Sequence, residues 1–346
     1  MDGVAELERP DGRLMFRVGI VLGAGGGTGR AFHAGVLAAI HDVLGFDARD
    51  AQVIVGTSAG AADAALVRAG ISPHDLYAHV VEGEYSPSGA AMFAGIPRWT
   101  EPDEEGPSVP WRPCSPARLA ALARRPWEVR PRSMGTVVAA MMPLGRRPTD
   151  VIEESLVPLY PNGWPERDLW VCSVDLDGGR RVVFGRDGSA PSTTVGVAVA
   201  ASCAVPGYFA PVVIDGVRYV DGGMFSPSNA DVLAGSDLDL VIVSSPQTMV
   251  PNGLRTSVDS WFRSSCRMLT RRETAQVRRA GHAVLLIEPT VEDLRVMGTI
   301  QDSMNLRPLV DIAKQAYEST ARRIRGGALA HAELRGAAYA ASSHGR

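Results

Sequence analysis

Lysine is nearly absent from this chain: Lys314 stands alone, and arginine supplies the rest of the 35 basic residues. With 38 acidic residues the net charge is -3, which excludes the electrostatic footprint of a nucleic-acid binder. Cysteine is scarce as well. Cys114, Cys172, Cys203 and Cys266 show no C-x-x-C spacing, which argues against a zinc ribbon, a redox dithiol or a disulfide scaffold. Cys172 and Cys203 lie in apolar runs and read as small buried hydrophobes. No apolar run approaches the length of a membrane span. The stretch from Met1 to Pro10 is polar and acidic, and the first apolar run, Val18 to Leu22, is too short for a signal peptide. A cytoplasmic protein is expected, with peripheral contact with a membrane surface left open.

What is present is an alternation of β-rich and helix-rich runs across 346 residues, 45% of them hydrophobic, enough for a full core. The alternation argues for one doubly wound α/β domain over residues 16–325. Residues 1–15 read as a loose arm and 326–346 as an Ala-rich tail. Between 83 and 145 prolines break the pattern, and residues 83–116 read as an irregular, mobile insertion. The run from Met134 to Leu144 is a nearly continuous apolar helix. Core packing is the favoured account of its methionines, and a wall facing an acyl chain or a membrane is the sharper one.

Three stretches carry chemistry. In the first, Val53-Ile54-Val55 reads as a buried strand that Gly56-Thr57-Ser58-Ala59-Gly60 turns sharply into the helix former Ala61 to Val67. That is a G-x-S-x-G nucleophile elbow in its required context of strand, tight turn and helix. Gly56 and Gly60 leave room where a Cβ would collide, and the helix N-terminus favours negative charge at the Ser58 hydroxyl. In the second, Val18 to Leu22 runs into Gly23-Ala24-Gly25-Gly26-Gly27-Thr28-Gly29-Arg30 and then a helix from Ala31 to Leu44. Free amides of such a loop bind anions. A dinucleotide site is disfavoured, because Thr28 stands where the third glycine of G-x-G-x-x-G belongs and no acidic residue ends the next strand. An oxyanion hole from Gly25, Gly26 and Gly27 explains loop and elbow together. The third stretch is Asp221-Gly222-Gly223, at the end of the β-run Val217 to Val220. Asp-Gly is also a common turn pair, as at Asp177-Gly178 and Asp215-Gly216, so spacing alone does not single Asp221 out.

A serine nucleophile needs a base. Of seven histidines, His282 is the best candidate by chain order, but it precedes the strand Ala283 to Ile287. It would sit at the amino edge of a parallel sheet, whereas active sites lie at the carboxyl edge. His33 is better explained by packing or by steadying the glycine loop. A partly desolvated aspartate with a raised pKa can serve instead.

The glycine loop, the elbow and the Asp221-Gly222-Gly223 motif together resemble the patatin-like phospholipase family, and they occur in the family's order. The block from Ala200 to Pro211 (Ala-Ala-Ser-Cys-Ala-Val-Pro-Gly-Tyr-Phe-Ala-Pro) is similar to a fourth family motif. The resemblance covers residues 17 to about 245 well and extends to about 320 more loosely. It implies a three-layer α/β fold with a mostly parallel central sheet flanked by helices. It further implies a Ser58–Asp221 dyad, Gly25 to Gly27 as oxyanion donors, and Gly29, Arg30, Gly56, Gly60, Gly222 and Gly223 in supporting motif positions. The implied activity is metal-free and cofactor-free hydrolysis of phospholipids and other lipid esters, of phospholipase A or lipid esterase type, through an acyl-enzyme on Ser58. One departure stands out: Thr28 occupies the place of the family's usual Arg or Lys before the last loop glycine, while Arg30 follows it and His33 falls one residue late. The alternatives are a His282-assisted esterase or thioesterase, and a non-catalytic lipid- or nucleotide-binding protein on the same scaffold.

Overall fold

The structure, a computed structural model, describes residues 17–96, 112–125, 127, 134–186, 188, 190–249 and 258–326. The expected arm at 1–15, nearly all of the tail, and the middle of the Pro-rich insertion lie outside these residues.

Five strands form the parallel heart of an eight-stranded sheet: β1 (Val18–Leu22), β2 (Val53–Thr57), β3 (Asp168–Asp175), β7 (Leu240–Ser244) and β8 (Ala283–Ile287). Their order across the sheet is β3-β2-β1-β7-β8. Strands β4 (Arg180–Phe184), β5 (Val212–Ile214) and β6 (Val217–Asp221) add antiparallel pairings at the β3 side. The sheet is therefore mostly parallel but mixed, because Asp177-Gly178-Gly179 and Asp215-Gly216 close tight hairpins, and a hairpin pairs strands antiparallel.

Strand residues alternate between two apolar layers, as a period of two requires. Ile20, Leu22, Ile54, Leu169, Val171, Ile242 and Leu285 face one core, with Phe32, Leu37, Leu66, Leu76 and Ile312. These come from α1 (Gly26–Leu44), α2 (Ala59–Arg68), α3 (Pro73–Val81) and α11 (Leu309–Arg325), and α8 (Val195–Cys203) joins the same side through Val195 and Val199. Val21, Val53, Val55, Cys172, Val241, Val243 and Val284 face the other core, with Leu233 and with Val277 of α9 (Val258–Arg279). Burial on both faces explains why the central strands are continuous apolar runs rather than alternating ones.

Local signals set several boundaries. Ser72 caps α3, its hydroxyl accepting from the Asp75 amide, with Pro73 in the first turn. The same chemistry corrects the reading of residues 83–116 as irregular: Ser86 and Pro87 open α4 (Pro87–Ala94), with Ser86 Oγ accepting from the Gly89 amide at 3.0 Å. Proline there starts a helix rather than breaking one. Ser115 and Thr149 stand before α5 (Pro116–Arg124) and α7 (Asp150–Leu156). A second correction concerns α1, which begins at Gly26 rather than Ala31, so most of the glycine loop is the first turn of a helix. The third concerns α6 (Met134–Met141). It buries Thr136, Ala139 and Ala140, while Met134, Val138 and Met141 are 50%, 48% and 56% exposed on one stripe. The methionines are not core. Helix α10 (Val291–Met297) is opened by a Thr290–Asp293 capping box.

Helix α2 lies so close to β1 that a Cβ on Gly60 would stand 2.1 Å from the Leu22 carbonyl oxygen. Backbone cannot yield that much, so Gly60→Ala should destabilise the fold by about 3 kcal/mol or more. A denaturant midpoint matching wild type would contradict this packing.

Candidate active site

Pairing along β3 assembles the site. β4 occupies one edge of β3 over Val171 to Asp175. β2 pairs with Asp168 to Cys172 and β6 with Ser173 to Asp175, so β2 and β6 share the other edge end to end. Thr57 is the last residue of β2 and lies opposite Cys172; the next row of β3, Ser173, lies opposite Asp221. One row is about 3.3 Å. The residue after Thr57 is Ser58, so the two ends deliver Ser58 and Asp221 to the same place.

Ser58 has φ 53° and ψ -123°, a left-handed conformation that costs a non-glycine residue about 1–3 kcal/mol. The elbow is held from both sides. The Ser58 amide donates to Ser202 Oγ at 2.9 Å, and the Ser202 hydroxyl donates to the Cys172 carbonyl at 2.5 Å. Across the turn, Asn229 Nδ2 donates to Thr57 Oγ1 at 3.1 Å and to the Ser226 carbonyl at 2.8 Å, and it approaches the Gly222 carbonyl at 3.4 Å. Asn229 thereby ties the serine turn to the aspartate turn. Neither Ser202 nor Asn229 is singled out by sequence reasoning, because each acts on a partner more than 140 residues away. The one available signal for Ser202 is its place in the Ala200 to Pro211 block.

Asp221 is 4% exposed, and burial pushes its carboxyl up to about 6. Hydrogen bonds from the Ser58 side chain and the Gly223 amide, the latter at 2.7 Å, oppose that rise without cancelling it. Gly222 packs against the Cys172 carbonyl, which lets the turn fold back on β3.

The glycine loop lies at the same carboxyl edge. Gly26 and Gly27 are in the first turn of α1 and have no carbonyl four residues back in the helix to bond. Gly26 has φ +61° and lies under the Ser303 carbonyl, so a side chain there is excluded twice over. Gly29 closes the turn with its amide on the Gly25 carbonyl at 2.9 Å. His33 is fully buried behind the loop, with Nε2 2.8 Å from the Gly23 carbonyl and Nδ1 2.8 Å from Ser244 Oγ. A carbonyl only accepts, so Nε2 carries the proton and Nδ1 accepts from Ser244. Desolvation lowers the pKa of His33 and keeps this neutral form, so it braces the loop. Arg30 Nε donates to the buried Asp63 carboxylate at 2.9 Å, linking the starts of α1 and α2.

His282 is elsewhere. Its Nδ1 donates to the Leu238 carbonyl at 2.7 Å, at the amino end of β8. A five-residue strand separates it from the carboxyl edge, about 16 Å. All four cysteines are free and buried, and burial raises the pKa of each thiol. A cavity of about 340 Å³ between α9, β8 and α11 is lined by Arg271, Thr274, Arg278 and Glu288 among others, and by none of the candidate residues. No described helix is long and apolar enough to cross a membrane.

A strained serine turn, a buried aspartate and a glycine-rich helix start thus meet at one edge of an α/β sheet. The sequence matches the family described as Patatin-like phospholipase over residues 20–234, and the chain belongs to that family. The family supports a lipid hydrolase function. Among solved structures, VipD from Legionella pneumophila is similar at 14% identity and a TM-score of 0.42, covering 91% of this chain and 68% of VipD. The type III effector protein ExoU is similar at 16% identity and a TM-score of 0.32, covering 90% of this chain; the chain spans 53% of that structure. A comparison with curated proteins finds no match.

A carboxyl raised from 3.8 to about 6 by burial works against the fold at neutral pH. Between those values the native state binds the extra proton, so stability falls as pH rises through the window, by up to about 3 kcal/mol. Asp221→Asn should therefore raise the thermal midpoint at pH 8 and lose that advantage near pH 4. An unchanged or lower midpoint at pH 8 would show that the Asp221 carboxylate is not destabilised by burial.

Proposed function

We propose that the protein is a serine acyl hydrolase of phospholipase A or lipid esterase type, with Ser58 as nucleophile and Asp221 as base. The observation that carries this reading is the meeting of the strained Ser58 turn and the buried Asp221 carboxyl at the carboxyl edge, beside the first-turn amides of α1. A carboxyl pushed up to about 6 is ionised at neutral pH and still basic enough to take a proton from the neighbouring Ser58 hydroxyl.

The steps follow from that geometry. Asp221 takes the Ser58 proton as Oγ bonds to the ester carbonyl carbon. The oxyanion is received by the amides of Gly25, Gly26 and Gly27, reinforced by the positive end of the α1 dipole. The intermediate collapses, the C–O bond to the leaving alcohol breaks, and Asp221 returns its proton to that oxygen. Asp221 then deprotonates water, which attacks the acyl-Ser58 ester; collapse breaks the acyl–Oγ bond, Asp221 returns the proton to Ser58 Oγ, and the carboxylic acid leaves. No step calls for a metal or cofactor.

A lipid ester is favoured over a small polar one because α6, which packs on the Gly222–Met224 turn through Gly135, carries an exposed apolar stripe of Met134, Val138 and Met141. His282 has no place in this scheme, since its ring is committed at the other edge of the sheet. Activity that disappears in His282→Ala would favour the His-assisted alternative.

A fluorophosphonate probe and a short-chain ester test the dyad together. Ser58→Ala should abolish both labelling and turnover, and Asp221→Asn should lower turnover by roughly 100- to 10,000-fold. Esterase activity that survives Ser58→Ala overturns the reading. The pH dependence carries a further expectation: kcat/KM of the wild type should fall as pH drops through about 6, when Asp221 takes up its proton. A profile flat from pH 8 to pH 5 would place the base elsewhere.

A further inference from the structure

A second cluster of ligating atoms lies far from the serine, at the other end of α1. His41 and Asp42 stand in the last turn of that helix, and His74 stands in the first turn of α3. His74 Nε2 is 3.0 Å from His41 Nδ1 and 3.0 Å from Asp42 Oδ1, and His41 Nδ1 is 3.6 Å from the same carboxylate oxygen. Each of the three residues contributes one ligand atom to this triangle. In a tetrahedral zinc site with ligand bonds of about 2.0–2.1 Å, neighbouring donors stand about 3.3 Å apart. The three separations bracket that value.

We propose that His41 Nδ1, Asp42 Oδ1 and His74 Nε2 form a binding site for a divalent transition cation, zinc being the best fit. Three features support the assignment. Two imidazoles and one carboxylate are a donor set suited to zinc rather than to calcium or magnesium, which prefer oxygen. The carboxylate is braced from behind, because the Tyr317 hydroxyl of α11 donates to Asp42 Oδ2 at 2.7 Å and leaves Oδ1 to the cluster. The site is also open on one side: the His41, Asp42 and His74 side chains are 35%, 32% and 51% exposed, which leaves a fourth position to water.

Without a cation the cluster is poorly satisfied. His74 Nε2 meets an imidazole nitrogen and a carboxylate oxygen at equal distance, and a single N–H serves two acceptors at most half-well. A cation replaces that shared proton and satisfies all three lone pairs. The carbonyl end of α1 favours positive charge here while the amide end of α3 disfavours it, so direct ligation has to supply the affinity. Bound metal would clamp the end of α1 to α3 and, through Tyr317, to α11.

The test uses the full chain, stripped with chelator and equilibrated with zinc. Wild type should bind one zinc per chain in competition with a chromophoric chelator, and its thermal midpoint should rise with added zinc. His41→Ala and His74→Ala should each lose that equivalent and the midpoint shift, with turnover of the short-chain ester unchanged and an intact far-UV spectrum. Cobalt gives a reading on the wild type alone: tetrahedral coordination should produce d–d absorption that excess zinc bleaches. Zinc binding retained in both alanine variants, or no zinc-dependent midpoint shift in the wild type, overturns the proposal.

Discussion

Two strands that share one edge of β3 fix the relation between the residues that matter most. β2 stops opposite Cys172, β6 begins its pairing opposite Ser173, and nothing separates them but the turn that each strand makes as it leaves the sheet. The elbow must turn away because β6 occupies the path ahead of it. Asp221 must end its strand there because β6 runs antiparallel toward the end of β2, which occupies the path ahead of it. Pairing of the backbone thus brings Ser58 and Asp221 to the same place without any long side chain to flex, and both residues are held at the level of their Cα atoms. The supports reinforce this: Ser202 holds the Ser58 amide, Asn229 bridges the two turns, and Gly222 lets the second turn lie flat on β3.

The cost is concentrated in the same few residues. Ser58 carries backbone strain, and Asp221 is buried with the Gly223 amide donating to its carboxylate. Both penalties are a few kcal/mol, a sizeable part of the 5–15 kcal/mol by which domains are stable. A fully solvated aspartate would be more comfortable and far less basic. The two apolar layers on either side of the sheet supply the stability that tolerates this arrangement.

Much of the framework is legible in the sequence because it rests on local chemistry. Ser72-Pro73 marks the start of α3, Asp215-Gly216 the β5–β6 hairpin, and continuous β-branched runs the doubly covered strands. Misreadings have local causes too. A Ser-Pro pair either breaks a segment or starts a helix, and at Ser86-Pro87 it starts one. Five glycines in seven residues suggest a loop, yet from Gly26 onward they are helix, stabilised by tertiary contacts that helix propensity ignores. The elbow is readable from its own five residues. Asp221 is not: its importance comes from pairing with a strand some fifty residues earlier, and only the family resemblance pointed to it. The His41–Asp42–His74 triangle was invisible for the same reason, because its third member comes from the next helix but one.

Helix α1 connects the two ends of this account. Its amide end lies at the serine turn and its carbonyl end at the histidine cluster. From Gly26 to His41 the helix rises about 22 Å. The same alignment of peptide dipoles favours negative charge at the first end and positive charge at the second. At that separation a cation on His41 is too distant to touch a reacting ester, and solvent ions screen its field beyond about 10 Å. Any influence has to pass through the position of the helix itself, which His33 pins to Gly23 and Ser244 close to the reacting end. The brace that holds the glycine loop in place also insulates it from what happens at the far terminus.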